Sequence, residues 1–282
     1  MEYPPLLIYG TVVLFGLIIG SFLNVVIYRL PSQLKKNWKN QCLEFLDMEQ
    51  EVPVKETIIW PGSHCPHCQQ SIKPLHNIPL LGYLWLHGRC APCNKNIALR
   101  YPFIEVLTAL CFILAVWRFD LSAQGLSAAV LATVLIVLAF IDIDHQFLPD
   151  DITLPMLWIG LLLNVFDIHA SLSSAVIGAS AGYLTLWLVY QFFKRLTGKE
   201  GMGYGDFKLL AMLGAWLGWQ ALPLILLLSA LAGSIIGVFQ ILVLRRDKNK
   251  PIPFGPYLAL AGWVSLIWGD DIVHQYFAFI GF

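Results

Sequence analysis

The chain has 282 residues, of which 57% are hydrophobic and only 13% are charged, and its formal net charge is zero. Soluble domains carry roughly 25% charged residues, so this sequence has too little polar surface to cover a water-soluble fold. The balanced charge gives no indication of a nucleic-acid partner. The composition predicts an all-α polytopic membrane protein whose main surroundings are the lipid bilayer.

The apolar segments divide into eight candidate membrane spans. About 20 residues of helix cross the hydrocarbon core, and runs near this length recur along the chain. The sixth and seventh spans share one run, Leu209 to Leu244, so we expect a tight hairpin near Pro223. Asp270 and Asp271 interrupt the last run, which makes seven or nine spans the alternatives. The predicted spans are about 6–28, 102–118, 124–142, 152–167, 172–193, 207–222, 223–244 and 254–274.

The positive residues test this count. With eight spans, every lysine and arginine except Arg118 lies in three loops on one side of the membrane: 29–101, 194–208 and 245–250. Positive loops mark the cytoplasmic side, so both termini are expected on the other side. A miscount by one span in mid-chain would destroy the separation, so the pattern supports eight.

This topology divides the chain into three parts. Residues 1–28 are expected to form the first transmembrane helix, since they lack the basic start and small-residue cleavage site of a signal peptide. Residues 29–101 form a cytoplasmic insert, and residues 102–282 form a transmembrane core. The sequence shows no internal repeat and no long linker.

The insert contains two C-x-x-C pairs, Cys65/Cys68 and Cys90/Cys93, with 21 residues between them. This spacing is typical of zinc sites in which four thiolates surround the ion. Free thiols, disulfides or a neighbouring histidine in place of one cysteine are the alternatives, but a cytoplasmic location disfavours disulfides. We predict a structural Zn²⁺ site, which would supply folding energy to an insert with little core.

Ionisable residues in or beside membrane spans are candidate functional residues, because burying them is costly. The leading candidates are Asp142, at the end of the third span, and Asp206, in the G-x-G-D stretch before the sixth. The topology puts both at the cytoplasmic face at similar depth. A helix-cap role for Asp206 and a solvated-loop role for Asp144 are the simpler alternatives.

Two carboxylates in one low-dielectric site share a proton, because they cannot both ionise easily. One can then act as general base on water while the protonated other polarises a peptide carbonyl. We therefore predict aspartic peptidase chemistry at Asp142 and Asp206. The glycines of "GMGYGD" (201–206) are expected to adopt φ > 0 and to allow close approach of a partner or substrate.

These residues belong to a pattern that resembles the type IV prepilin peptidases, which are bifunctional leader peptidases and N-methyltransferases of the bacterial inner membrane. The G-x-G-D motif alone also occurs in presenilin-like proteases, but those lack a four-cysteine insert. A slight departure is Gly82, where serine is frequent. The resemblance rests on "GSFLNVVIYRLP" (20–31), "SHCPHC…NIPLLGYLWLHGRCAPC…LRYPFIE" (63–105), "IDIDHQFLPDDITLP" (141–155), "GMGYGDFKLLAMLGAWLGW" (201–219) and "PIPFGPYLALAGW" (251–263).

The resemblance implies that Asp142 and Asp206 are the catalytic pair, with Asp144 as the alternative to Asp142. It implies that the substrates are type IV prepilins and type II secretion pseudopilins, cleaved after a glycine between a basic cytoplasmic leader and a membrane helix. It also implies S-adenosylmethionine as methyl donor, with the insert and neighbouring loops serving this activity. No residue is assigned to donor binding, since the chain has no glycine loop of a nucleotide fold.

Two other functions are compatible with parts of the sequence. A proton-coupled transporter also uses membrane carboxylates, but transporters usually show repeated halves and carboxylates near the bilayer midplane. A non-catalytic assembly factor would need neither Asp142 nor Asp206. The favoured interpretation is a bacterial inner-membrane enzyme whose active site faces the cytoplasm.

Overall fold

The computed structural model describes residues 4–48, 57–58, 60–243 and 252–280. Within these ranges the chain is helical, and its β pairing is limited to two isolated bridges. It divides into two compact units, Met1–Trp117 and Arg118–Phe282. Short 3₁₀ turns lie at Pro74–Asn77 and Trp219–Ala221. The helices are α1 Pro5–Phe45, α2 Leu81–Trp85, α3 Arg100–Phe119, α4 Ala123–His145, α5 Asp150–Asn164, α6 Leu172–Thr197, α7 Tyr204–Leu217, α8 Leu222–Leu242 and α9 Gly255–Ile280.

Each of the eight predicted spans coincides with a helix, which confirms the all-helical membrane fold. Helices α1, α3, α4, α6 and α8 (the last with the turn before it) are long and apolar enough to cross a membrane. Helices α5 and α7 have only 15 and 14 residues, or roughly 21–23 Å at 1.5 Å per residue. This is less than the thickness of a bilayer core. A short turn before Pro223 joins α7 to α8 at the place where the hairpin was expected. The number of complete crossings stays a prediction.

In the first unit, α1 and α3 pack backbone against backbone. A Cβ atom added at Gly16 would lie 2.5 Å from Ala109 Cα, and one added at Gly20 would lie 2.7 Å from Glu105 Cα. Small residues four positions apart allow membrane helices this close approach. Helix α1 continues past residue 28, where the insert was expected to begin, and ends at Phe45. The polar residues after the apolar run are good helix formers, so the helix does not stop where the hydrophobicity does.

The second unit is built around α7. Apart from Lys208, its residues from Asp206 to Trp216 are buried, as happens in a helix that other helices surround. Helices α5, α6 and α9 pack against it. On the α6 side the approach requires Gly178 and Gly182, where added Cβ atoms would collide with the backbone of α7. The position of the first turn of α7 is therefore fixed by packing along the length of the helix.

Asn164, at the end of α5, is fully buried and joins two helix ends. Its amide donates to the carbonyls of Ala215 and Trp216 at the end of α7, both at 2.9 Å. Its Oδ1 accepts the backbone N–H groups of His169 and Ala170 at 3.0 and 3.1 Å. The side chain thus provides partners for two carbonyls at a helix end, where intrahelical partners are lacking.

We expect the substitution Asn164→Ala to destabilise the protein. It would leave buried backbone groups without partners, and each such group costs about 1–3 kcal/mol. The thermal midpoint in detergent, followed by circular dichroism, should therefore fall by several degrees. The matched control Asn37→Ala, at an exposed position of α1, should leave it unchanged. Equal effects of the two substitutions would contradict the role given to Asn164.

Candidate active site and metal centre

Asp142 and Asp206 lie at two helix ends that meet in the second unit. Asp142 is in the last turn of α4 and is 6% exposed, and Asp206 is the third residue of α7 and is 8% exposed. The two carboxylates are close enough to interact electrostatically. Helix α9 packs against both α4 and α7 and so connects the two helix ends. The structure therefore brings the two predicted residues together.

The Asp142 carboxylate is held by the first residue of α9. The backbone N–H of Gly255 donates to Asp142 Oδ2 at 3.0 Å in a buried position. N–H groups in the first turn of a helix have no partner within the helix, and they favour a negatively charged acceptor. A Cβ atom on residue 255 would lie 2.7 Å from the same oxygen, so this contact requires glycine. The sequence had given Gly255 no role, although the Gly-Pro pair is a signal for a helix start.

Within residues 201–205, Gly201 and Gly205 allow close approach of a neighbouring side chain, and the expectation of positive φ is wrong. The segment enters α7 through Gly203, the N-cap, at φ −79° and ψ 149°, a conformation open to any residue. Positive φ is found at other glycines of the described chain. A Cβ atom on Gly205 would lie 2.9 Å from that of Leu148. The atom nearest to a Cβ added at Gly203 would be Asp206 Oδ2, at 3.8 Å, so there is free space beside this carboxylate.

The structure bears on the simpler alternatives for the aspartates in different ways. The N-cap of α7 is Gly203, and the carboxylate of Asp206, the third helical residue, lies near the backbone N–H of Gly203. This is the contact of a capping box, so a capping contribution of Asp206 is compatible with its place in the carboxylate pair. Asp144 is exposed, whereas Asp142 is buried. Two residues apart on a helix, their side chains point to nearly opposite sides. The geometry favours Asp142 over Asp144 as the partner of Asp206.

Lys208, two residues after Asp206, is bound to a third aspartate. Lys208 Nζ contacts both carboxylate oxygens of Asp150, at 2.7 and 2.6 Å. Lys208 lies in the first turns of α7, and Asp150 is the first residue of α5. Both side chains are partly exposed, and such pairs add little to stability. The contact matters here because it joins the starts of α5 and α7 next to the candidate site.

The four predicted metal ligands converge in the first unit. Their Sγ atoms all lie within 4.8 Å of one another, and those of Cys65 and Cys93 are 3.9 Å apart. Tetrahedral zinc with Zn–S bonds of about 2.3 Å requires sulfur atoms about 3.8 Å apart. The cluster, Cys65, Cys68, Cys90 and Cys93, therefore fits a structural zinc ion.

Each cysteine pair lies in the same kind of backbone turn. The N–H of Cys65 bonds to the carbonyl of Gln70 at 3.0 Å, and the N–H of Cys90 bonds to that of Lys95 at 2.8 Å. The residue after the second cysteine of each pair has left-handed φ, 59° and 56°. The two turns form a structural repeat that was not expected, because the segments 63–72 and 88–97 share only their cysteines and a final isoleucine.

Comparisons with known proteins agree with this architecture. Residues 14–119 match the Bacterial Peptidase A24 N-terminal domain, and residues 129–238 match the Type IV leader peptidase family. The chain belongs to this peptidase family. Several relatives are named prepilin leader peptidase/N-methyltransferase. The one from Aeromonas hydrophila is 53% identical over 96% of this chain and 94% of the relative. The one from Pseudomonas aeruginosa is 50% identical over 96% of this chain and 93% of the relative. The relative of that name in Legionella pneumophila is 45% identical over 98% of this chain and 96% of its own. No solved structure matches.

Family membership makes this chain a membrane-embedded leader peptidase, and nothing in the matches supports a transporter. The second match, residues 129–238, contains both Asp142 and Asp206, whereas the first, residues 14–119, contains the four cysteines. The matches name families and not individual residues. The roles of the aspartates and of the cysteines therefore stay predictions.

We expect one zinc ion per chain. Protein purified in detergent should contain about one equivalent of zinc by elemental mass spectrometry, because four converging thiolates bind the ion tightly. Cys65→Ser should lose most of this zinc, since it removes one of the four ligands. The control Cys111→Ser, a buried cysteine of α3, should retain it. Full zinc content in the Cys65→Ser protein would contradict the assignment.

Proposed function

We propose that this chain is a prepilin leader peptidase and N-methyltransferase of the bacterial inner membrane. Its substrates are type IV prepilins and the pseudopilins of type II secretion. The observation that carries the proposal is the buried carboxylate pair Asp142 and Asp206, found in a chain about half identical to curated enzymes of that name. The pair supplies the two groups that aspartic peptidase chemistry needs, without a metal or a nucleophilic side chain.

In the proposed cleavage, one carboxylate of the pair accepts a proton from a water molecule. The water oxygen attacks the peptide carbonyl carbon while the other, protonated, carboxyl group gives its proton to the carbonyl oxygen. The tetrahedral diol then collapses: the ionised carboxylate takes a hydroxyl proton, the C–N bond breaks, and the nitrogen leaves with the proton of the other carboxyl group. The Gly255 N–H fixes one oxygen of Asp142, so the carboxylate is already oriented when the substrate binds.

The proposed cleavage site is the junction between a basic leader and the hydrophobic helix of the substrate. The positive loops of this chain favour a cytoplasmic location for the starts of α5 and α7 and the end of α4. Both aspartates are at these helix ends, the depth at which such a junction leaves the bilayer. The room beside Gly203 would let an extended substrate backbone approach Asp206.

The proposed second activity methylates the amino group that cleavage exposes. S-adenosylmethionine, when bound, would supply the methyl group to this amine and would leave as the neutral thioether, with one proton of the amine released to water. The four cysteines would hold zinc in the region associated with this activity. With four protein ligands the ion has no open position, so its role there is to stabilise the fold.

Replacing either aspartate of the pair should abolish cleavage. We expect Asp142→Asn and Asp206→Asn to lower the rate of prepilin cleavage in detergent at least about 1000-fold, since each removes an acid–base group. Asp144→Asn, at the exposed neighbouring position, should remain active and serves as the control. Cleavage by all three variants at matched protein levels would exclude the aspartyl mechanism. Loss of cleavage in Asp144→Asn but not in Asp142→Asn would move the first aspartate to residue 144.

The Gly255→Ala substitution should also reduce cleavage strongly. Its Cβ would displace the Asp142 carboxylate, and a displacement of about 1 Å at a catalytic group costs about 100-fold in rate. The control is Gly269→Ala in the same helix, where the nearest atoms to an added Cβ are 3.9 Å away. Prepilin cleavage rates of the two purified variants provide the measurement. Equal rates would show that Gly255 does not position Asp142.

A further inference from the structure

A cavity of about 550 Å³ lies within the first unit, lined by α1, α3, the loop around α2 and both cysteine turns. Pockets for small organic ligands have volumes of roughly 300–1,000 Å³ and combine apolar walls with a few polar groups. Three tyrosines, Tyr28, Tyr83 and Tyr101, contribute rings to its wall. The cavity therefore has the size and the lining of a site for a ligand that carries an aromatic or cationic group.

Glu105 is the buried carboxylate of this cavity. The buried guanidinium of Arg29 also lines it, and donates to the backbone carbonyls of Thr57, Ile58 and Gly62. Its side chain is only 7% exposed, and Oε2 accepts the backbone N–H of Leu80 at 2.9 Å. A second hydrogen bond comes from the side chain of Ser21. Both donors are neutral, so they orient the carboxylate without supplying a positive charge. A buried carboxylate on the wall of a cavity is favourable when a ligand brings the cation.

The tyrosine rings select the same kind of ligand. The face of an aromatic ring attracts a cation within about 6 Å of its centre, more strongly when water is excluded. Rings also stack on planar heterocycles. A ligand with a soft cation and a planar base would use both kinds of contact, whereas a lipid chain would use neither the carboxylate nor the charge of the ring face.

We propose that this cavity is the binding site for S-adenosylmethionine, with the sulfonium group beside Glu105 and the tyrosine rings. The inference rests on the methylation activity proposed above. It accounts for a methyl donor site in a chain without a nucleotide-binding fold, because the walls come from two membrane helices and the insert. Cys65 and Cys90 line the same cavity, so zinc at the cysteine cluster would stabilise one wall of the donor site.

The test compares two ligands that differ in charge. S-adenosylmethionine carries the sulfonium cation, whereas S-adenosylhomocysteine has a neutral sulfur. Their dissociation constants are measured by titration calorimetry on the full chain in detergent. In Glu105→Gln, which keeps the size of the side chain, S-adenosylmethionine should bind about tenfold more weakly, since a contact to a charged group is lost. Binding of S-adenosylhomocysteine should change less than about twofold.

Two further variants complete the design. The control Glu44→Gln, at an exposed position of α1, should bind both ligands like the wild type. Tyr28→Leu removes a ring that is 60% exposed, so it should fold normally while binding both ligands more weakly. Zinc content, which depends on the cysteine cluster of the first unit, reports whether that unit is folded in each variant. If Glu105→Gln does not fold, Tyr28→Leu decides the question.

The outcomes separate this inference from the proposed function. A wild-type protein that methylates processed prepilin, together with Glu105→Gln and Tyr28→Leu variants that bind both ligands normally, would overturn the cavity assignment and leave the function intact. A general loss of affinity for both ligands in Glu105→Gln, with no change in their ratio, would overturn the placement of the sulfonium group. If the wild type neither methylates prepilin nor binds S-adenosylmethionine, the methylation proposal fails together with the cavity assignment.

Discussion

A carboxylate buried in a membrane protein loses the hydration that stabilises its charge, and only nearby donors or a shared proton compensate for that loss. Asp142 and Asp206 are both in this position. The N–H of Gly255, at the start of α9, compensates for this loss at Asp142, and the backbone N–H of Gly203, at the start of α7, does so at Asp206. Three helix ends must therefore meet at one point, and the packing of the second unit achieves this.

In both units, glycines allow two membrane helices to pack closely. In a bilayer, apolar side chains gain little from leaving lipid for protein, so association depends on close packing. Gly16 and Gly20 bring α1 onto α3, and Gly178 and Gly182 bring α6 onto α7. Backbones at this distance leave little freedom for a helix to rotate or tilt. Polar groups at the helix ends are consequently held within narrow limits, as acid–base chemistry and cation binding require.

The sequence was sufficient to predict the helices and the pairing of the aspartates, because both follow from strong physical rules. Apolar runs of membrane length specify helices, and the distribution of positive residues put Asp142 and Asp206 on one side of the bilayer. The role of Gly255 was missed, since a backbone donor has no side-chain signature.

Other features depended on context that the sequence does not display. The φ angles of residues 201–205 were mispredicted because glycine serves both unusual backbone conformations and close packing, and only the neighbours decide between them. The continuation of α1 to Phe45 was missed because the end of an apolar run marks a membrane boundary rather than a helix end. The repeated cysteine turn was hidden, since its hydrogen bonds are made by the backbone and place few demands on the side chains.

Helix α5 touches α7 at both of its ends. Asp150 at its start binds Lys208, and Asn164 at its end binds the last carbonyls of α7. The two helices run parallel and are nearly equal in length, so α5 can contact α7 at both of its ends. A shift of α7 along its axis by one helical turn, about 5.4 Å, would break both of these contacts. The position of Asp206 therefore depends in part on the length of a neighbouring helix that contributes no carboxylate to the pair.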